Sequence, residues 1–216
     1  MVRVARTVAA LAAVLLLAAA GGARGGERPV VAGYLAAWNA TPASIAALPA
    51  ERLTHVIYAF GTVTADGRAA IADPCRDLGR CVGAGGGGNV AALARLRAEH
   101  PHLEVLIALG GWTGSAHFSD AAATAAGRER LAASAIATFL EDHGDAFDGI
   151  DLDWEYPVEG GLAGNTARPE DRRNFTELVA TFRRVLDDWG ATRDRRPLLT
   201  IATAASPWLM RNLEVE

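Results

Sequence analysis

Five apolar runs separated by amphipathic stretches constrain the fold of this chain more than any other feature. They are PVVAGYLAAW (29–38), LTHVIYAF (53–60), LEVLIALGGW (103–112), FDGIDLDWEY (147–156) and PLLTIATAAS (197–206). Such continuous runs are expected of strands covered on both faces, as in a parallel sheet. Helical patterns lie between them. The clearest spans 168–190, with Phe175, Leu178, Val179, Phe182, Val185, Leu186 and Trp189 on one face, all expected in the core. Pro169 suits its first turn and Gly190 its stop. Residues 127–144, using Leu131, Ile136, Phe139 and Leu140, give a second helix, and 89–101 a third, ended by Pro101. Strand then helix, repeated, predicts an α/β fold of βα units with right-handed crossovers. An open doubly wound sheet and a closed (β/α)8 barrel both satisfy that pattern.

The fourth run breaks the apolar rule. DGIDLDWEYP (148–157) sets four carboxylates among Ile150, Leu152 and Trp154. Strand side chains alternate, so Asp151, Asp153 and Glu155 share one face and the three apolar residues the other. Asp148 is out of parity and enters from the beginning of the strand. A half-exposed strand with one wet face would explain the pattern, but an α/β architecture covers both faces. Carboxylates so crowded cannot all be ionised, because desolvation and mutual repulsion favour shared protons. That suits a general acid, which must hold a proton near neutral pH. Glu155 is last in the row, at the carboxyl end of the strand, where parallel barrels carry their active sites. It is the expected proton donor, with Asp153 exchanging a proton or gripping substrate and Asp151 backing both. A metal cluster would use the same oxygens. Three acids from one strand point along nearly one direction, however, and no further acid-rich loop exists, so no metal is expected.

The remaining features narrow the setting. Residues 1–23 carry Arg3 and Arg6, an apolar run from Val8 to about Ala20 and then small residues, the layout of a secretory signal peptide. The run is shorter than the roughly 18–20 residues of a membrane span, which leaves an uncleaved anchor as the alternative. The net charge of −4 and the lack of a basic stripe argue against nucleic acid. Cys75 and Cys81 are the only cysteines, and in an exported chain they are expected to pair. Two free thiols or a metal pair is the alternative, but no further Cys or His stands at ligand spacing. The glycine cluster Gly83–Gly88 lacks the Lys-Ser/Thr ending of a phosphate loop, and reads as a surface loop.

DGIDLDWEYP resembles the Asp-x-x-Asp-x-Asp-x-Glu signature of glycoside hydrolase family 18, the chitinases and their relatives. GYLAAW, LTHVIYAF and LIALGGWTGSAHFSD resemble the first three strands of that family, and 158–179 the segment after its acidic strand. The likeness runs from about Val30 to the C-terminus. It implies a (β/α)8 barrel, about five βα units of it within 29–216, acting on β-1,4-linked N-acetylglucosamine. It implies substrate-assisted, retaining hydrolysis, with Glu155 as proton donor and Asp153 orienting the acetamide. Tyr34, Phe60, Gly110, Gly111, Trp112, Thr113 and Tyr156 match substrate-contacting positions. Asp148 and Ala108 are expected to give structural support. The implied partner is chitin or chito-oligosaccharides, with no cofactor and no membrane after signal removal; a secreted monomer is expected.

Two departures qualify the likeness. The family has Ser-x-Gly-Gly on its third strand, its hydroxyl near the inner Asp, where this chain has Ala108. The chain also carries no Met-x-Tyr-Asp motif, and its tyrosines are Tyr34, Tyr58 and Tyr156 alone. A fragment of a longer barrel is therefore expected. A chitin-binding lectin and an inactive truncated product are the alternative functions.

Overall fold

The computed structural model describes residues 29–81, 87–193 and 195–214. The signal-like residues 1–23 and most of the glycine cluster lie outside the described residues. The strands are β1 (Ala32–Ala36), β2 (His55–Val63), β3 (Ala69–Ile71), β4 (Glu104–Gly110), β5 (Gly149–Asp153) and β6 (Leu198–Ile201). The helices are α1 (Pro42–Ala46), α2 (Pro74–Leu78), α3 (Gly88–Glu99), α4 (Phe118–Ala122), α5 (Ala125–Ala135), α6 (Asp171–Ala191) and α7 (Pro207–Met210). A π turn, Ile136–Glu141, carries α5 onward. Each of the five expected strands is present, trimmed at one or both ends; β2 alone runs past its expected end.

The sheet order is β1-β2-β4-β5-β6, all parallel, with β3 antiparallel to β2. The order never reverses, and the helices cover one face only. Val56, Tyr58, Val105, Ile107, Leu109, Ile150, Leu152 and Trp154 pack there with the apolar faces of α3, α5 and α6 in one core. The opposite face holds a small separate cluster of Ile57, Ala59, Leu106 and Ala108, to which no helix contributes. A doubly wound sheet would reverse its strand order and carry helices on both faces. The observed winding is that of consecutive units of a (β/α)8 barrel.

Local chemistry explains the elements and the departures from expectation. On α6 the spacing of Phe175, Leu178, Phe182 and Leu186 places all four in the core, and each buried side chain of that size stabilises by roughly 1.5–3 kcal/mol. Pro169 stands outside the helix, because the Asp171 carboxylate accepts the Arg168 N–H (2.8 Å) and holds a separate turn there. Gly190 lies inside the last turn, packed under the Arg195 carbonyl, and the helix ends one residue later. Trp189 packs against the edge of the core without being fully buried. It is half-buried at the helix edge, its indole N–H donating to Glu141 (2.9 Å) and its ring under the Arg193 guanidinium. β3 was not expected: only three residues long, it returns on β2 through a turn at Gly67 with positive φ. The Asp66-Gly67 pair is the hairpin signal that marks it.

Candidate active site

The acidic row lies on the helix-free face of β5. Ile150, Leu152 and Trp154 point into the helical core, where Trp154 stacks on Phe118 (5.4 Å between ring centroids). Asp151 is fully buried and Asp153 is 7% exposed on the other face. Alternation alone fixes that split.

Asp148 does not join the row. It precedes β5 and is gripped by arginines from two directions. Arg97 Nε donates to its Oδ2 (2.7 Å), Arg195 Nη2 to its Oδ1 (2.6 Å), and the Val105 N–H to Oδ2 (2.9 Å). The crowded set is therefore three carboxylates, with Asp148 as a bolt between α3, β4 and the approach to β6.

Among the described residues no cation pairs with the row. Asp151 instead accepts two hydroxyls, from Tyr34 (2.9 Å) and from Thr200 (2.5 Å). Its carboxyl is held above the usual range by burial, which those hydroxyls oppose. Asp153 has no such relief. Burial first, then the charges of Glu155 and Asp151, push its carboxyl up to about 7. Tyr34 and Tyr156 are both raised, chiefly by desolvation and then by the neighbouring carboxylates.

Glu155 follows the strand and is placed by its backbone. Its N–H donates to Ser115 Oγ (2.9 Å), and the Ser115 hydroxyl faces the carbonyls of Gly111 (2.8 Å) and Asp153 (3.2 Å). Asn165 Nδ2 donates to the Glu155 carbonyl (3.3 Å) from the following loop. Two glycines make this approach feasible. Gly110 (φ +110°) leaves no room for a Cβ against the Asp153 carbonyl, and Gly111 (φ +74°) none under the Phe60 ring. The Gly111 N–H donates to the Asp153 carbonyl (2.8 Å), so Gly111 supports the site from below and does not line it.

Above the row opens a cleft of about 460 Å³, lined by Tyr34, Trp38, Phe60, Asp153, Glu155 and Tyr156, with Ala202 and Thr203 beyond β6. A second cleft of about 470 Å³ shares Trp38, Ala59 and Phe60 as a wall and adds Gly110, Trp112, Thr113 and Arg76. Trp38 stacks on Phe60 (6.0 Å, 22°) while remaining 62% exposed. The expected residues Tyr34, Phe60, Gly110, Trp112, Thr113, Tyr156, Asp153 and Glu155 thus come together around the two clefts. Asp151 and Ala108, paired in register, lie beneath them. Cys75 of α2 and Cys81 beyond its end form a disulfide. Sequence reasoning missed Trp38, Ser115, Asn165 and Thr200; Trp38 and Ser115 stand inside motifs whose other members drew attention. Among the described residues no group of three His, Cys, Asp or Glu could hold a metal, and no helix is long and apolar enough to cross a membrane.

Comparison with known proteins agrees with this geometry. Residues 30–215 match the profile of Glycosyl hydrolases family 18. The chain is 36% identical to Chitinase A1 of Niallia circulans over 222 residues, covering 86% of this chain and 31% of that relative. It is 36% identical to Chitinase 1 of Aphanocladium album, covering 93% of this chain and 48% of that protein. The structure of Chitinase ChiA74 from Bacillus thuringiensis superposes with a TM-score of 0.77 at 32% identity, over 86% of this chain and 37% of the other. The chain spans about a third of the length of the first of these two relatives and about half that of the second. A singly wound parallel sheet, an acidic row at the carboxyl end of its β5, and a family match across nearly the whole described chain converge on one assignment: this chain belongs to glycoside hydrolase family 18.

Proposed function

We propose that the chain is the N-terminal part of a secreted chitinase that hydrolyses β-1,4-linked N-acetylglucosamine by substrate-assisted, retaining catalysis. The observation that carries this reading is a buried, protonatable Asp153 set between Asp151 and Glu155 under an aromatic-lined cleft, with no cation among the described residues to neutralise the row. Asp153 passes its proton to Glu155, which lines the cleft and gives that proton to the glycosidic oxygen as the bond to the anomeric carbon breaks. The acetamido oxygen of the same sugar forms a bond to that carbon. Asp153 orients the acetamide N–H and balances the positive charge of the resulting oxazolinium. Water, deprotonated by Glu155, then opens the ring and restores the original anomeric configuration. In this scheme the substrate supplies the nucleophile that a second carboxylate supplies in most retaining glycosidases.

A binding-only role is the second reading. It is favoured by the exposed rings of Trp38 and Trp112, which offer sugar a stacking surface whether or not a bond is cut. Turnover of chito-oligosaccharides separates the two. The chain should release products whose first-formed anomer is β, and Glu155→Gln should lower kcat by about 10²–10⁴-fold. Saturable binding with no turnover would leave only the lectin role.

A further inference from the structure

The second cleft contains the only positively charged side chain lining either cleft among the described residues, and the chemistry above gives it no task. We propose that Arg76 binds a distal sugar of the substrate, giving this protein a preference for longer chito-oligosaccharides; the inference rests on the chitin reading. Arg76 lines the second cleft together with Thr113 and two exposed aromatics, Trp38 (62% exposed) and Trp112 (47%). Those rings offer stacking faces to sugar, and the guanidinium offers hydrogen-bond donors beside them.

The guanidinium is fixed before any ligand arrives. Its Nε and Nη2 donate to the two oxygens of Asp77 (2.8 and 3.1 Å), and Nη1 lies 3.5 Å from Asp73. Asp77 is itself buried and accepts the Tyr58 hydroxyl (2.6 Å). The five-residue α2 that carries Arg76 is too short to persist by propensity alone. It is held by the Asp73 cap on the N–H groups of Cys75 and Arg76 (3.0 and 3.1 Å), by Pro74 in its first turn and by the Cys75–Cys81 disulfide. Side-chain ordering, a usual charge against binding, is therefore complete on folding. Asp77 and Asp73 also neutralise the guanidinium. With two acids already paired to it, the guanidinium has its remaining N–H groups for neutral acceptors, a hydroxyl or an acetamide carbonyl, rather than for a strong anion.

The test is a tryptophan-fluorescence titration of the intact chain, with Glu155→Gln as common parent so that the ligand stays whole. The ligands are the trimer and the hexamer of N-acetylglucosamine. The parent should bind the hexamer more tightly than the trimer. Arg76→Ala should weaken hexamer binding about tenfold, the worth of one charge-assisted hydrogen bond, and leave the trimer within twofold. Arg76→Lys keeps a cation beside Asp77 without the planar fork, and should still lose at least about threefold on the hexamer. Thermal melts identify which variants fold, and the Lys variant carries the test if the Ala variant does not. Unchanged hexamer affinity in a folded variant, or equal loss on both ligands, overturns the inference while the chitin reading stands. A parent that binds neither oligomer overturns the chitin reading and the inference with it.

Discussion

The two ends of one strand treat the same side chain in opposite ways. At the entry to β5, Asp148 meets two arginines and a backbone N–H, so its charge is fully answered. Three and five residues further on, Asp151 and Asp153 meet two hydroxyls and each other. Burial is similar, 6% exposure for Asp148 and 7% for Asp153, so it does not account for the difference. Partners do. A carboxylate given cations becomes a structural bolt, and one denied them retains a proton. Electrostatic design along the strand thus separates stability at one end from proton chemistry at the other.

Removing the bolt should give the largest effect. Asp148→Ala leaves Arg97 and Arg195, about three-quarters buried, without their carboxylate. The expected loss is about 3 kcal/mol, or roughly 5–10 °C in Tm for a chain of this size. Calorimetry of the variant checks the loss, and the pH profile of turnover should keep its shape. A shifted profile would show that the two ends of the strand are coupled after all.

Removing the protonated acid should give a smaller effect on stability, and of opposite sign. Asp153 titrates at about 7 in the folded chain and near 4 when unfolded. Its folded pKa is raised, so its contribution to stability is complete below about pH 4 and is lost as pH rises through about 7. The parent should therefore lose stability between about pH 4 and 7, and turnover should fall as pH rises through about 7. Asp153→Asn removes this loss. At pH 8 the variant should be more stable than the parent by about 2 kcal/mol while kcat falls about a hundredfold. Melts at pH 5 and pH 8 decide the matter, and a variant less stable than the parent at pH 8 would mean that Asp153 is ionised and satisfied there.

The alternation that separates Asp151, Asp153 and Glu155 from Ile150, Leu152 and Trp154 was legible because it is local: period two, in a strand covered on one face by helices. The parallel order followed from strand and helix repeating, and the choice of barrel over doubly wound sheet came from the family resemblance. What pairs with the row was not legible. Asp148 stands 51 residues from Arg97 and 47 from Arg195, and Thr200 stands 49 from Asp151. Nothing in a local pattern links such positions. Trp189 fitted the apolar face of α6 by spacing, yet an aromatic with a polar N–H is stable at an edge where a carboxylate can accept it. Ser115 and Asn165 act through backbone groups, which carry no signature in side-chain type.

The smallest expected effect concerns the site where the chain departs from its family. Ala108 pairs in register with Asp151 on one side, and Thr200 does so on the other. Family 18 resemblance places a serine hydroxyl at 108, and here the Thr200 hydroxyl already donates to Asp151 at 2.5 Å from the opposite strand. Ala108→Ser would add a third donor, hold Asp151 more firmly anionic and, through that charge, favour the proton on Asp153. A rise of about two- to threefold in kcat, with the alkaline limb of the pH profile moved upward by a few tenths of a pH unit, is expected. Thr200→Val should move both in the reverse direction by more, since it removes an existing bond. If Ala108→Ser leaves kcat unchanged while Thr200→Val lowers it, Thr200 alone supplies what the family draws from its serine. If neither matters, the charge on Asp151 does not govern where the proton sits, and the contrast between the two ends of β5 reduces to the presence or absence of arginine.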